Sequence, residues 1–435
     1  MQRSHRLRPL LAAIPFAQSF VLAGCLAPPP EDRSGSRSNG PPDATVDRNT
    51  LGAADGASDS GPTEDATVDA PSMTAEASDA ATDASGESSA CGPCSYTNAT
   101  ASCSSGTCSL SSCNSGFSNC NGDASDGCEV NLKGTDGNNC GACSHSCLTG
   151  GSCSGGICQP IPFVISGTTN IVDLDTNGTI VVFADTGKQM IAEVDIPGGT
   201  PQMLAGNGQV TSPDHVAIDP ASTTVYWTDS GNYGVATAGQ VGSGSIRGTA
   251  CGGAPTNAVA NPTTNQLDVL SSALGTLLVG TGCVSDTTMG ISGTLGASLS
   301  PRWVFGDLGA SAVVFGGAQG PPSATIANQP AVNWVADDKT YGYWATSEPA
   351  IRRAPFNAPA NVSVVLASPG APVTSLATDG KYAYYGTSSG IYYVPVAGAA
   401  SGTLLTGKPG THIRYASSAL FFLAGGVIYK IATPP

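Results

Sequence analysis

The chain contains 435 residues, of which only 11% are charged, and its formal net charge at pH 7 is -15. This length is too great for one ordinary domain. The acidic balance argues against nucleic acid and anionic membrane surfaces as electrostatic partners. Beyond the N-terminus, no apolar stretch is long enough to span a bilayer.

Residues 1–24 have the pattern of a secretory signal peptide. Basic residues, Arg3 and Arg8 among them, precede a mostly apolar run from Leu10 to Val21. The run is shorter than the roughly 20 residues that a comfortable membrane span needs. The alternatives are an ordinary signal peptide and an uncleaved helix with a chance cysteine.

The end of this segment, Leu22-Ala23-Gly24-Cys25, resembles the lipobox of bacterial lipoproteins. The resemblance implies cleavage before Cys25 and attachment of the lipid to that cysteine. It also implies a membrane as partner, through the lipid anchor, and a place in the cell envelope, at the outer membrane of a Gram-negative bacterium.

Residues 25–90 are predicted to be a disordered acidic tether that follows the lipidated cysteine. From Leu26 to Ala90 there are 13 acidic residues, 3 arginines and neither an aromatic residue nor a cysteine. Such a segment cannot bury enough apolar surface to offset the entropy of ordering it. We interpret it as a spacer, although unselected low-complexity sequence would have the same composition.

Residues 91–159 are predicted to form a small cysteine-rich module. Twelve of the 15 cysteines lie here: Cys91, Cys94, Cys103, Cys108, Cys113, Cys120, Cys128, Cys140, Cys143, Cys147, Cys153 and Cys158. The module has few large apolar residues, so disulfides must replace the missing core. Their connectivity is left open by the sequence.

Two other chemistries fit the Cys-x-x-Cys pairs of this module, namely zinc binding and thiol redox catalysis. The export signal favours disulfides over both, because exported thiols are usually oxidised. The phrases Asp126-Gly127-Cys128-Glu129 and Asn139-Cys140-Gly141 resemble cysteine-rich segments of predicted myxobacterial lipoproteins. That resemblance implies no activity.

Residues 160–435 repeat a pattern of an apolar strand, a polar turn and a second strand rich in aromatic residues. The turns that we take as equivalent are spaced 31 to 46 residues apart: Asp175, Asp219, Asn261, Asp307, Asp338, Asp379 and Ser417. Periods near 40 residues with several strands each predict a β-propeller. The fold class is therefore all-β, a propeller preceded by the disulfide-rich module and the tether.

Short phrases in the repeats resemble known propellers. Tyr226-Trp227-Thr228-Asp229 resembles the motif of the YWTD propellers, Tyr343-Trp344-Ala345-Thr346 is a weaker copy, and Pro197 to Thr200 resembles YWTD and NHL phrases. YWTD propellers have six blades, whereas the repeats here favour seven. We also expect Ile161–Ile165 to supply the outer strand of the last blade and so close the ring.

Two cysteines, Cys251 and Cys283, fall in the second and third repeats and are predicted to form a structural disulfide. The set Asp173, Asp175 and Asn177, followed by a glycine, resembles the start of a calcium loop. The twelfth position lacks the bidentate Glu, and a hairpin turn explains the same residues. We expect no cofactor from the sequence, and calcium is the one alternative.

The two histidines of the repeats, His215 and His412, both stand at the start of a predicted first strand. Because the first strand of each blade lines the central channel, the two rings are expected to face one opening. There they could provide a general base or a metal site, or serve structural or ligand-contact roles. No motif of a serine hydrolase, a zinc protease or a phosphate-binding loop is present.

We therefore interpret the chain as a lipid-anchored envelope protein with a non-catalytic propeller that binds or scaffolds, its ligand a protein or a glycan. One alternative is a propeller hydrolase or lyase that works near His215 and His412. The other is a purely structural component of the envelope.

Overall fold

The computed structural model describes residues 91–163, 168, 170–206, 208–219, 223–230, 232–249, 255–261, 266–271, 275–278, 282–284, 293–299, 302–307, 311–316, 324–356, 363–399 and 401–435. Cys25, the signal peptide and the predicted tether lie outside these residues, as does Cys251. No helix within the described parts is long and apolar enough to cross a membrane.

The cysteine module, residues 91–159, is built from short strands: β1 (Ala99–Ser104), β2 (Thr107–Cys113), β3 (Phe117–Ser118), β4 (Val130–Asn131), β5 (Cys153–Ser154) and β6 (Ile157–Cys158). They pair as three two-stranded antiparallel sheets, β1 with β2, β3 with β4 and β5 with β6. A module with so little regular structure needs covalent bonds to hold its shape.

Disulfides supply those bonds. All twelve cysteines of the module are paired: Cys91–Cys103, Cys94–Cys108, Cys113–Cys128, Cys120–Cys143, Cys140–Cys153 and Cys147–Cys158. This supports the disulfide interpretation over zinc or thiol chemistry. The second cysteines of the two Cys-x-x-Cys pairs differ in direction: Cys94 pairs forward with Cys108, whereas Cys143 pairs back to Cys120.

The rest of the described chain forms four-stranded antiparallel sheets, seven in the parts that the structure describes. The first four run β8 (Ile171–Thr176), β9 (Ile180–Asp185), β10 (Met190–Asp195), β11 (Gln202–Ala205); β12 (Pro213–Ile218), β13 (Thr224–Asp229), β14 (Asn232–Thr237), β15 (Ser245–Thr249); β16 (Pro255–Asn261), β17 (Gln266–Ser271), β18 (Gly275–Leu278), β19 (Gly282–Val284); and β20 (Gly293–Leu299), β21 (Arg302–Asp307), β22 (Ala312–Gly316), β23 (Ala324–Ile326).

The remaining three begin with β24 (Val332–Asp337), β25 (Tyr341–Thr346), β26 (Ile351–Pro355), β27 (Val364–Ala367), followed by β28 (Ser375–Thr378), β29 (Tyr382–Thr387), β30 (Gly390–Pro395), β31 (Thr403–Thr406). The last sheet joins β32 (Thr411–Ala416), β33 (Ala419–Ala424) and β34 (Val427–Ala432) to β7 (Ile161–Pro162) from the other end of the region. The innermost strands contact one another in order, and β32 contacts β8, so the sheets are blades of a closed β-propeller.

In the five blades whose second-strand side chains the structure describes, that strand is buried on both faces, which explains its aromatic residues. In the fifth blade Tyr343 packs towards the sixth blade, whereas the next residue, Trp344, packs towards the fourth, where it meets Phe315 edge to face at 6.0 Å. Because neighbouring side chains in a strand point to opposite faces, one aromatic pair binds a blade to both neighbours.

The closing strand predicted from the sequence is confirmed. Pro162 and Ile161 pair with Tyr429 and Lys430 of β34. Phe163 continues the contact: its backbone N–H donates to Ile428 O at 2.8 Å, and its ring meets another aromatic ring of the last blade. The N-terminal end of the propeller thus completes its last sheet and covers an edge that would otherwise be open.

One repeat assignment from the sequence was wrong. The first strand of the fourth blade ends at Leu299 and the second begins at Arg302, nearly midway between Asn261 and Asp338, and Asp307 instead ends the second strand of that blade. Asp185 and Asp229 end the second strands of the first two blades in the same way. An aspartate at the end of a second strand was therefore mistaken for one in an inner turn. The inner strand of the fourth blade is rich in small residues and lacks the apolar pattern of the others.

Candidate functional site

A β-bulge recurs near the start of the innermost strands. In six of the seven inner strand pairs that the structure describes, the register shifts close to the first paired residue, and only the sixth blade has a regular pairing. The residues that follow the shift are Asp173, His215, Asn257, Leu295, Trp334 and Arg414. Bulges are frequent next to binding sites because they re-aim a side chain.

Asp173 is the centre of a polar cluster, the channel cluster, which it forms with Asp175, His215, His412 and Arg414. Its side chain is 4% exposed, and Oδ2 lies 3.3 Å from His215 Nδ1 while Oδ1 lies 3.8 Å from His412 Nε2. Backbone N–H groups of Leu174 and Val216 also donate to its oxygens, at 2.8 and 3.1 Å. One buried carboxylate of the first blade therefore faces histidines from the second and the last blade.

These neighbours stabilise the ionised form of Asp173. Burial by itself raises the pKa of this carboxyl group, but the hydrogen bond with His215 and the nearby positive charges prevail. The pKa of Asp173 is therefore lowered from its ordinary 3.8, and the side chain is ionised at neutral pH.

His412 occupies an unusual backbone position. Its φ is +50°, in the left-handed region, and it lies inside the bulge between Thr411 and Arg414. Non-glycine residues in sparsely populated regions cost about 1–3 kcal/mol and concentrate at functional sites. The ring is placed by Thr411 Oγ1, 3.1 Å from Nδ1, and by Trp334, whose ring meets it edge to face at 5.7 Å.

His412 is neutral at neutral pH. Burial lowers the pKa of its ring below the ordinary 6.5, and the positive charge of Arg414 adds to this effect, while Asp173 opposes it without reversing it. The ring remains 26% exposed, so it is open to a molecule in the channel. A neutral imidazole that solvent can reach can accept a proton or a hydrogen bond.

Asp175 and Arg414 form the second half of the cluster. Arg414 Nε donates to Asp175 Oδ1 at 3.0 Å, and Ile218 N donates to Oδ2 at 3.0 Å. Burial raises the pKa of Asp175 from its ordinary 3.8, and the charge of Arg414 only partly offsets this. Asp175 is two residues beyond Asp173 on the same strand, so both carboxylates project from the same face.

The three calcium candidates have different hydrogen-bond partners. Asp173 and Asp175 face the channel cluster, whereas Asn177 Oδ1 accepts hydrogen bonds from Thr179 and Ile180 in the turn between β8 and β9. The turn interpretation accounts for these bonds of Asn177. Among the described residues, the two groups of three ligand atoms close enough for one metal ion consist of cysteines, and all of those are in disulfides.

The expectation that His215 and His412 face one opening agrees with their shared contact to Asp173. Sequence reasoning missed Arg414 and Trp334, as well as the role of Asp173 as the group between the histidines. Arg414, Trp334 and Asp173 each follow a β-bulge, and this shared position is the signal that identifies them. The bulges depend on strand pairing, which the sequence does not show.

The fold and the site thus define the class of protein, a β-propeller with a disulfide-rich module and a polar cluster at its channel. No protein-family model matches the chain, and no curated protein is significantly similar to it in sequence. Solved structures match the propeller, covering 62 to 63% of this chain in the matches compared.

The β-propeller domain of Myceliophteria thermophila Cps50 (Swd1) superposes with a TM-score of 0.52 at 9% identity, covering 63% of this chain and 100% of its own. A streptogramin B lyase gives 0.51 at 10% identity, with 63% and 97% covered. A virginiamycin B lyase from Staphylococcus aureus, solved with quinupristin, gives 0.50 at 12% identity, with 63% and 99% covered. Identities this low show the fold alone.

Proposed function

We propose that this chain is a lipid-anchored protein of the bacterial cell envelope whose propeller binds a polar ligand at the channel cluster. The observation that carries the proposal is Asp173, a buried carboxylate that faces both His215 and His412. Three blades contribute these side chains, and a strained backbone holds one of them.

The chemistry of the cluster suits a ligand that both donates and accepts hydrogen bonds. Arg414 is a permanent donor and remains 29% exposed, while His412 is neutral and can accept. Trp334, half-buried beside His412, adds an apolar face. A glycan hydroxyl or a peptide group offers the matching combination of donor, acceptor and apolar surface.

The envelope part of the proposal depends on Cys25 and the segment after it, which lie outside the described residues. The paired cysteines of the module support it, because dense disulfides are typical of exported proteins. An acidic spacer of residues 26–90 would then hold the module and the propeller away from the membrane. The myxobacterial resemblance belongs to the same proposal.

A second candidate function is acid–base catalysis by a hydrolase or lyase. The observation that favours it is the difference between the two histidines: His215 contacts the ionised Asp173 through Nδ1, whereas His412 is held neutral. A carboxylate-oriented imidazole beside a neutral one is an arrangement that can take and return a proton.

One set of variants separates these functions. The full chain, His412→Asn and His215→Ala are incubated with a small-molecule and glycan extract of envelopes, and retained ligands are detected by native mass spectrometry. Lys188→Ala, an exposed change in the turn between β9 and β10, is the control. Binding requires a ligand that the wild type and the control retain and the histidine variants lose.

Turnover of an ester and lactone panel that disappears in both histidine variants would instead favour the enzyme. If neither ligand retention nor turnover is observed, the remaining interpretation is a structural component of the envelope. Anchoring is tested separately with a clickable palmitate analogue. Label must enter the wild type and be absent from Cys25→Ser, and an unlabelled wild type would refute the anchor.

A further inference from the structure

The cysteine module is docked against the propeller at its sixth and seventh blades. Strand β6 of the module contacts β31, the outer strand of the sixth blade. The disulfides Cys140–Cys153 and Cys147–Cys158 are buried in the same apolar cluster as Tyr384 and Phe422 of the propeller. We call this contact the seam.

His145 forms polar contacts with both sides of the seam. His145 Nε2 lies 2.9 Å from Thr433 O at the end of the last blade, and Nδ1 faces Cys140 O within the module. Together with the buried disulfides, this bond joins two parts of the fold that are 288 residues apart in sequence. The walls of the seam are therefore preformed rather than dependent on a ligand to order them.

A half-open cavity of about 360 Å³ lies at the seam. This volume falls in the usual range for small-molecule sites, roughly 300–1,000 Å³. Apolar side chains form much of its wall, among them Ile157 from the module, Leu404 and Leu405 from the sixth blade, and Pro434. Leu404 is 36% exposed, so its side chain is partly accessible to a ligand.

The polar side chains that line the cavity include Tyr393, Thr403 and His145. Tyr393 and Thr403 bring hydroxyl groups to the wall. None of the described residues that line it is Asp, Glu, Lys or Arg. Both ring nitrogens of His145 are already directed at backbone carbonyls. A charged ligand would find no carboxylate, ammonium or guanidinium side chain among the described residues of the wall to offset its desolvation.

The volume bounds the size of the occupant. An apolar cavity of about 150 Å³ is enough to hold benzene. A cavity of about 360 Å³ would therefore accept a molecule of roughly twice that size, such as a fused two-ring system or a medium alkyl chain.

We propose that the seam cavity is a binding site for a small uncharged molecule with an apolar ring system or chain and one hydroxyl or amide group. The apolar part contacts Ile157, Leu404 and Leu405, and the polar group joins the Tyr393–Thr403 hydroxyl pair. This site is separate from the channel cluster and does not depend on the function proposed there.

A matched set of probes tests the chemistry. Naphthol, naphthalene, naphthoate and naphthylmethylammonium share one ring system and differ in the hydroxyl or the charge. Titration calorimetry on the full chain should show saturable binding of naphthol. Naphthoate and the ammonium compound should bind at least about tenfold more weakly, because that ratio needs only 1.4 kcal/mol of lost affinity. Equal binding of a charged analogue would overturn the proposal.

Matched variants test the location. Leu404→Trp fills the cavity and should weaken naphthol binding by about tenfold or more, while Val364→Trp, at an exposed position on β27 outside the cavity, should leave it within about twofold. Tyr393→Phe should remove the preference for naphthol over naphthalene without weakening naphthalene. Absence of saturable binding, or unchanged binding in a folded Leu404→Trp, refutes the site.

Discussion

Arg414 in the innermost strand of the last blade donates a hydrogen bond of 3.0 Å from Nε to Asp175 Oδ1 in the first blade, 239 residues away in sequence. The other oxygen of the same carboxylate accepts a hydrogen bond from Ile218 N in the second blade. This pair therefore links three consecutive blades at the point where the ring closes, beside the histidines of the channel cluster. Arg414 and Asp175 therefore belong both to the channel cluster and to the contact that closes the ring.

Arg414→Ala is predicted to destabilise the propeller by about 1–3 kcal/mol, because it leaves the Asp175 carboxylate largely buried without its cation. Adding Asp175→Asn should restore part of this loss, because the remaining group no longer carries a charge. Urea unfolding of the two single variants and the double variant measures the coupling. Additive losses would show that the ion pair contributes nothing beyond its separate side chains.

Gly234→Ala is predicted to destabilise the second blade by about 1–3 kcal/mol through overpacking. An added Cβ at Gly234 would lie 2.1 Å from Cζ2 of Trp227, a fully buried ring that cannot move aside. Gly199→Ala is the matched control, since a Cβ there meets nothing within 4 Å. Thermal unfolding should separate the two variants, and equal melting temperatures would contradict the packing of Trp227 against Gly234.

Acid is predicted to destabilise the fold through His412. Because the folded protein lowers the pKa of this ring below 6.5, the unfolded chain binds the proton more readily, and stability falls as the pH drops below about 6.5. Asp173 adds a second loss only below about 3.8, where its lowered pKa begins to matter.

His412→Asn tests this assignment, because asparagine tolerates the left-handed backbone of position 412 and does not titrate. The difference in unfolding free energy between pH 7.5 and pH 5 should be smaller in His412→Asn than in the wild type. The same difference in both proteins would mean that another group accounts for the acid sensitivity. His215→Ala, measured in parallel, reports the contribution of the neighbouring ring.

Removal of the disulfide Cys140–Cys153 is predicted to weaken the propeller as well as the module, because both cysteines are buried in the cluster at the seam. Cys91–Cys103 is the matched control, with a separation of 12 residues against 13, so each loop contributes about 3 kcal/mol in the chain-entropy model. Double serine variants of each pair are compared by hydrogen exchange of β29 and β33. Equal protection in both variants would refute the coupling.

The repeat of apolar strands, polar turns and aromatic second strands was sufficient to predict a propeller, because each blade must bury both faces of its second strand. The strand Ile161–Pro162 was predictable for a related reason, since an unpaired strand at one end and an incomplete blade at the other complement each other. The fourth blade was assigned wrongly because its inner strand, Gly293–Leu299, carries too few large apolar residues to mark it.

The sequence by itself determined the all-β class, the abundance of cysteines available for pairing and the two histidines at the starts of inner strands. These follow from composition and local pattern, which every residue carries with it. Only the tertiary structure decided which cysteines pair, and that Asp173 lies between His215 and His412 with Arg414 beside them. Those relationships depend on bulged registers and on ring closure between strands far apart in the chain, and local sequence encodes neither.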